Sequence, residues 1–115
     1  MRLWVDDVRP APGRLVDRNK TADNQVGAWI WSKTSKDAIS VLKDWWDLID
    51  VVSLDHDLGG DDTGYKILIF IEYQVAIEGR SAPMIEIHTA NPAARERMEA
   101  AVTSIIAFDR QNRMG

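Results

Sequence analysis

Residues 51–64 read Val-Val-Ser-Leu-Asp-His-Asp-Leu-Gly-Gly-Asp-Asp-Thr-Gly. The apolar, β-branched start of this stretch predicts a short buried strand over residues 51–54. Asp55, His56 and Asp57 follow at once, and residues 59–64, rich in glycine and aspartate, predict a loop. Residues 65–78 then carry a helix, with Gly79 as its C-cap. Strand, polar cluster, loop and helix in that order make half of a strand–helix–strand unit, and the flanking sequence decides whether the pattern repeats.

Downstream it does. Pro83 bars a helix, residues 84–87 predict a fourth strand, and His88, Thr89 and Asn91 follow it. Asn91-Pro92 opens the last helix, because asparagine is a preferred N-cap and proline is tolerated at the first helical position. Met98, Ala101, Val102, Ile105 and Ile106 supply its buried stripe, and the polar tail after Asp109 is expected to fray. Upstream, Thr34 to Asp37 has the form of a capping box, and Ala38, Val41, Leu42, Trp45, Trp46 and Ile49 recur at helical spacing. The β-branched and aromatic residues 26–31 predict the second strand. Residues 10–24, broken by proline and charge, predict a surface loop, and residues 3–5 a first strand ending in Asp6 and Asp7.

Strands alternating with helices pair in parallel through right-handed crossovers. The expectation is therefore one α/β domain over residues 1–115, a small doubly wound parallel sheet of about four strands. Ligands of such sheets bind outside the carboxyl ends of the strands. Three of the four strands end there in reactive groups: Asp6 and Asp7; Asp55, His56 and Asp57; His88, Thr89 and Asn91. The topology brings all three clusters to one edge. The five tryptophans have structural places, Trp4, Trp29 and Trp31 on strands, Trp45 and Trp46 on the apolar side of a helix.

Composition narrows the classes. The 115 residues, 45% of them hydrophobic, fill one core. With no cysteine there is no disulfide framework and no thiolate-bound zinc. No apolar run approaches the roughly 20 residues that span a bilayer, and Met1 to Asp7 is too short in apolar residues for a secretory leader, so a cytoplasmic protein with no membrane partner is expected. The net charge of −4, without a lysine-arginine block, argues against duplex DNA while leaving room for a small phosphate pocket.

Carboxylates crowded at one edge repel, and a divalent cation, a raised pKa or a basic partner relieves them. Asp6, Asp7, Asp55 and Asp57 offer the oxygen donors that magnesium, manganese or calcium takes. The alternative for Asp55 or Asp57 is to cap the loop. His56 and His88 titrate near neutrality, so the pair can act as acid and base on a phosphodiester or bind metal beside the aspartates. At the last helix, Asn91, free amides and a positive dipole suit a phosphate. Arg95 is the better phosphate candidate there and Arg9 a weaker one, while Arg97 is expected to be solvated, paired with Glu96 or Glu99.

Taken together, residues 5–10 (Val-Asp-Asp-Val-Arg-Pro), 53–59 (Ser-Leu-Asp-His-Asp-Leu-Gly), 63–65 (Thr-Gly-Tyr) and 88–92 (His-Thr-Ala-Asn-Pro) resemble the cyclic-phosphate-processing receiver-like domains, divergent relatives of the response-regulator receiver. The resemblance runs from the first strand to the last helix. It implies a receiver/flavodoxin-like fold, with Asp6 and Asp7 in a magnesium role, Asp55 where receivers keep the phosphoacceptor, Gly64 closing the following loop, and His88 or Thr89 where they keep a switch hydroxyl. Only one helix follows His88, so the fifth receiver strand is missing, and with it the lysine that contacts the phosphoryl group. The fourth strand then becomes an edge, which the charge of Glu86 suits and through which a homodimer can form.

The reading that follows is a small phosphoesterase acting on a cyclic phosphate, an RNA end or a cyclic nucleotide. Asp6, Asp7, Asp55 and Asp57 would hold Mg2+ or Mn2+, His56, His88 and Asp55 would carry the chemistry, and Asn91, Arg95, Arg9 and Thr89 would fix the phosphate. The alternatives are a non-catalytic domain that binds or senses a nucleotide or phosphate, and an interaction module.

Overall fold

The computed structural model describes the backbone of residues 1–115 and every side chain except that of Ala22. Four short strands, β1 (Arg2–Val5), β2 (Trp29–Ser32), β3 (Val51–Leu54) and β4 (Met84–Ile87), form a sheet in the order β2-β1-β3-β4. Every pair is parallel, with Val5 level with Ser32 on one side and Leu54 on the other, and Leu54 level with Ile87. The helices are α1 (Ser35–Trp45), α2 (Tyr65–Ala76) and α3 (Pro92–Met114). This is the expected α/β, receiver-like architecture, with the strands' carboxyl ends level at one edge. Among the described residues, no helix is long and apolar enough to cross a membrane.

The helices cover one face of the sheet. The chain steps from β2 to β3 and from β3 to β4 in the same direction, so right-handed crossovers put α1 and α2 on the same side. Leu3, Val5, Ile30, Val52 and Leu54 meet there the buried stripes of all three helices, Leu42, Ile71 and Ile105 among them, in one cluster. A doubly wound sheet would carry helices on its second face as well. The reverse step, from β1 to β2, is where such a helix would lie, and the chain crosses there as a loop. Trp4, Trp29, Ser53 and Glu86 therefore sit on a helix-free face, partly screened by that loop, whose Leu15 bridges to Trp29. Buried Gln25 organises it by donating to the Thr21 carbonyl at 3.0 Å.

Local boundaries differ from the expectation in physically instructive ways. β2 starts at Trp29, not Val26: Gly27 takes φ +77°, Ala28 closes a turn onto the Gln25 carbonyl, and Val26 is 80% exposed. The tail after Asp109 does not fray. α3 runs to Met114 because its polar residues are tied down: Asp109 Oδ1 accepts from Ala82 N at 3.0 Å, and Asn112 Nδ2 donates to the Val75 carbonyl at 2.8 Å. Its stripe is Ala94, Met98 and Ile105, with Ala101 and Val102 partly buried and Ile106 exposed. After α1 the chain tightens into a 3-10 turn (Trp46–Leu48), whose Trp46 is buried and donates Nε1–H to the Ser81 carbonyl, while Trp45 is half-buried.

Candidate functional site

β1 delivers Asp6 and Asp7 to the carboxyl edge and β3 delivers Asp55, as adjacent parallel strands in register must. Asp6 is buried, and its Oδ1 accepts from the amides of Val8 (2.9 Å) and Arg9 (2.7 Å), so the chain turns back over its own carboxylate. The Asp55 amide donates to the Val5 carbonyl, and Asp55 Oδ1 accepts from the His56 amide at 2.8 Å. One oxygen from each of Asp6, Asp7 and Asp55 lies within 4.8 Å of the others. Three hard oxygen donors within this reach could hold a divalent cation such as Mg2+ or Mn2+ and do not suit a soft metal.

His88, two residues beyond Glu86 on the helix-free side of the sheet, locks this group from behind. Its Nε2 lies 3.2 Å from Asp6 Oδ2 and its Nδ1 2.8 Å from Ser53 Oγ, while its ring stacks on Trp4 with centroids 3.9 Å apart and planes 1° from parallel. A carboxylate only accepts, so Nε2 carries the proton and Nδ1 accepts from the serine hydroxyl. Burial lowers the His88 pKa below its usual range and outweighs the neighbouring Asp6, which raises it. That direction favours the neutral ring, in which the Asp6 contact is a hydrogen bond and not an ion pair. Ser53 is buried, so its hydroxyl anchors the ring and is closed to a substrate. Trp4 in turn donates Nε1–H to the Arg9 carbonyl.

His56 belongs to a separate cluster. Its Nδ1 lies 2.9 Å from Asp57 Oδ1, and the Asp57 carboxylate, 72% exposed, lies outside the acid triad in which it was expected. Because Asp57 accepts, Nδ1 carries a proton, and Nε2 has no hydrogen-bond partner among the described residues. His56 lines a cavity of about 390 Å³ together with Thr63, Tyr65 and Arg97. The loop between β3 and α2 holds this wall. A side chain at Gly64 would collide with the Asp55 carbonyl oxygen, so only glycine lets the loop close so near the site. Asp62 fastens the loop to α1 by accepting from the Ser35 amide at 2.8 Å and from its hydroxyl. Burial pushes the Asp62 pKa up, but the two Ser35 bonds and Lys66 outweigh it and hold the carboxyl below 3.8.

The expected phosphate ligands of α3 serve their own turn. Asn91 Oδ1 caps the helix by accepting from Ala94 N at 3.2 Å, and Thr89 Oγ1 accepts from Asn91 N at 3.2 Å. Arg95 donates to the Thr89 carbonyl at 3.2 Å and pairs with Glu99 at 3.4 Å, the partner anticipated for Arg97. Arg9 meets the site through its backbone, its amide on Asp6 and its carbonyl on Trp4. The structure brings Asp6, Asp7, Asp55 and His88 to one place, and beside the two clusters it sets Ser53, Trp4, Thr63, Tyr65 and Arg97, which sequence reasoning had not placed there. The strand register carried a signal for two of these, since Trp4 and Ser53 are level with each other and two residues short of Asp6 and Asp55.

The family model described as a cyclic-phosphate processing receiver domain matches residues 1–104, from β1 well into α3. Comparison with curated proteins and with solved structures finds no match.

Proposed function

The chain belongs to the cyclic-phosphate processing receiver domains, and from that premise we propose that it hydrolyses a cyclic phosphodiester, the 2′,3′-cyclic end of an RNA or a cyclic nucleotide, to a phosphate monoester. The observation that carries this reading is the His56–Asp57 pair: an imidazole oriented through Nδ1, with Nε2 free, on the wall of a cavity and one residue from Asp55. That is the arrangement of a general base with its orienting carboxylate.

In this reading water adds to phosphorus as its proton passes to His56 Nε2. One ring P–O bond breaks, and the departing oxygen takes a proton from solvent, leaving the monoester and a free hydroxyl. Asp57 holds the ring and stabilises the imidazolium that forms. Asp6, Asp7 and Asp55 would hold Mg2+ or Mn2+, which supplies neutralisation of charge on the phosphoryl oxygens. In this reading His88 positions Asp6 and does not meet the substrate, because its nitrogens are turned to Asp6 and to the buried Ser53 hydroxyl.

The test follows monoester formation from nucleoside 2′,3′-cyclic phosphates with magnesium or manganese present. His56→Gln should slow turnover about 10²–10⁴-fold, the usual contribution of a general base. Wild-type protein no faster than that variant would end the reading, and tight binding with the ligand recovered intact would turn it into a sensor.

A further inference from the structure

Arg97 is singled out by what it lacks. Among the described residues it makes no ion pair and no hydrogen bond, whereas Arg95, two residues earlier, is held by Glu99 and Thr89. Two residues along an α-helix turn the side chain by about 200°, so the two arginines leave α3 on opposite flanks of its buried stripe. The Arg97 flank is the one that meets the loop after β3, where the side chain lines the cavity with His56, Thr63 and Tyr65.

The walls of that cavity hold an arginine, an imidazole, a hydroxyl and a phenol ring, and no carboxylate. The Asp57 carboxylate, next in the chain to His56, is turned to His56 Nδ1 and to solvent. An exposed guanidinium with no ion pair among the described residues, lining one cavity with an imidazole, is complementary to an anion, and its fork of donors matches the geometry of phosphate oxygens. Tyr65 opens α2 and is partly exposed, so it offers an aromatic face beside that anion. About 390 Å³ lies within the range that holds small organic ligands.

We propose that Arg97 is the phosphate-binding residue of this site, seconded by the Thr63 hydroxyl, and that Tyr65 receives the base of a nucleotide. The inference rests on the function proposed above for the placement of the reacting phosphate beside His56. It adds which side chains seat the phosphate and the base of that substrate, and Tyr65 would distinguish a nucleotide from a bare sugar phosphate.

The experiment measures binding of cytidine 2′,3′-cyclic phosphate to the full chain by calorimetry, and turnover separately. Arg97→Gln should raise Kd and KM about tenfold to a hundredfold, the loss expected for one charge-assisted contact, with a smaller change in kcat. Arg97→Lys should recover part of the loss. Arg110→Gln, at the far end of α3, controls for net charge and should change neither. Tyr65→Ala should weaken the nucleotide while leaving ribose 2,3-cyclic phosphate unaffected. Unchanged binding in Arg97→Gln, a loss equal to that of Arg110→Gln, or wild-type protein that binds no cyclic nucleotide would overturn the proposal. Binding that depends on Arg97 without any turnover would uphold it and remove only the hydrolytic reading.

Discussion

Asp62 ties the loop after β3 to the first turn of α1, and its role has a pH signature. Its carboxyl titrates lower in the folded protein than in the unfolded chain, so the stability it contributes is fully present above pH 3.8 and is lost as the pH falls through the lower folded value. Asp62→Ala should cost about 1 kcal/mol in urea unfolding at pH 7, as the loss of a helix-capping carboxylate does. The gap between the two proteins should stay constant down to about pH 5 and shrink below pH 4. A gap that widens on acidification would contradict the assignment. Single residues were also where the sequence spoke most unevenly. Asp6, Asp7, Asp55 and His88 were legible because each follows a strand end, and strand ends of a parallel sheet converge. The surroundings of Arg95 and Arg97 were not, because which flank of the helix meets the loop is a property of packing.

Among the elements, α3 shows how polar residues can set a boundary. Asp109 and Asn112 read as the start of a solvated tail, yet each satisfies a backbone group of another segment, Ala82 N before β4 and the Val75 carbonyl in α2. Asp109→Ala should leave that partly buried amide without its acceptor and lower stability by about 1 kcal/mol. Hydrogen exchange should then quicken in the last turns of α3 before the sheet responds. Uniform quickening throughout would mean that the contact contributes globally. β2 carried the opposite error: Val26 has the composition of a strand, but Gly27 next to it supplies the positive φ of a turn. Composition identifies what a segment can be, and hydrogen bonds made to distant residues decide where it stops.

For the whole molecule, the parallel sheet and the edge at which its acids gather could be read from the alternation of strands and helices. The one-sided helix cover could have been read only by combining strand order with crossover handedness, and the strand order is not in the pattern. The acid triad concentrates negative charge at one edge of a chain that is already at −4. If it holds a divalent cation, Mg2+ or Mn2+ at a hundred times its Kd should stabilise the fold by about 2.7 kcal/mol. The melting temperature should then rise by several degrees, and Asp7→Asn with Asp55→Asn should abolish the rise. An equal rise in the double variant would place the ion elsewhere. The coplanar stack of Trp4 on His88 gives the molecule one more property. An indole clamped against the ring that steadies Asp6 is a chromophore set directly behind the acid triad, so a rearrangement of that carboxylate should register in the near-ultraviolet ellipticity without any added label.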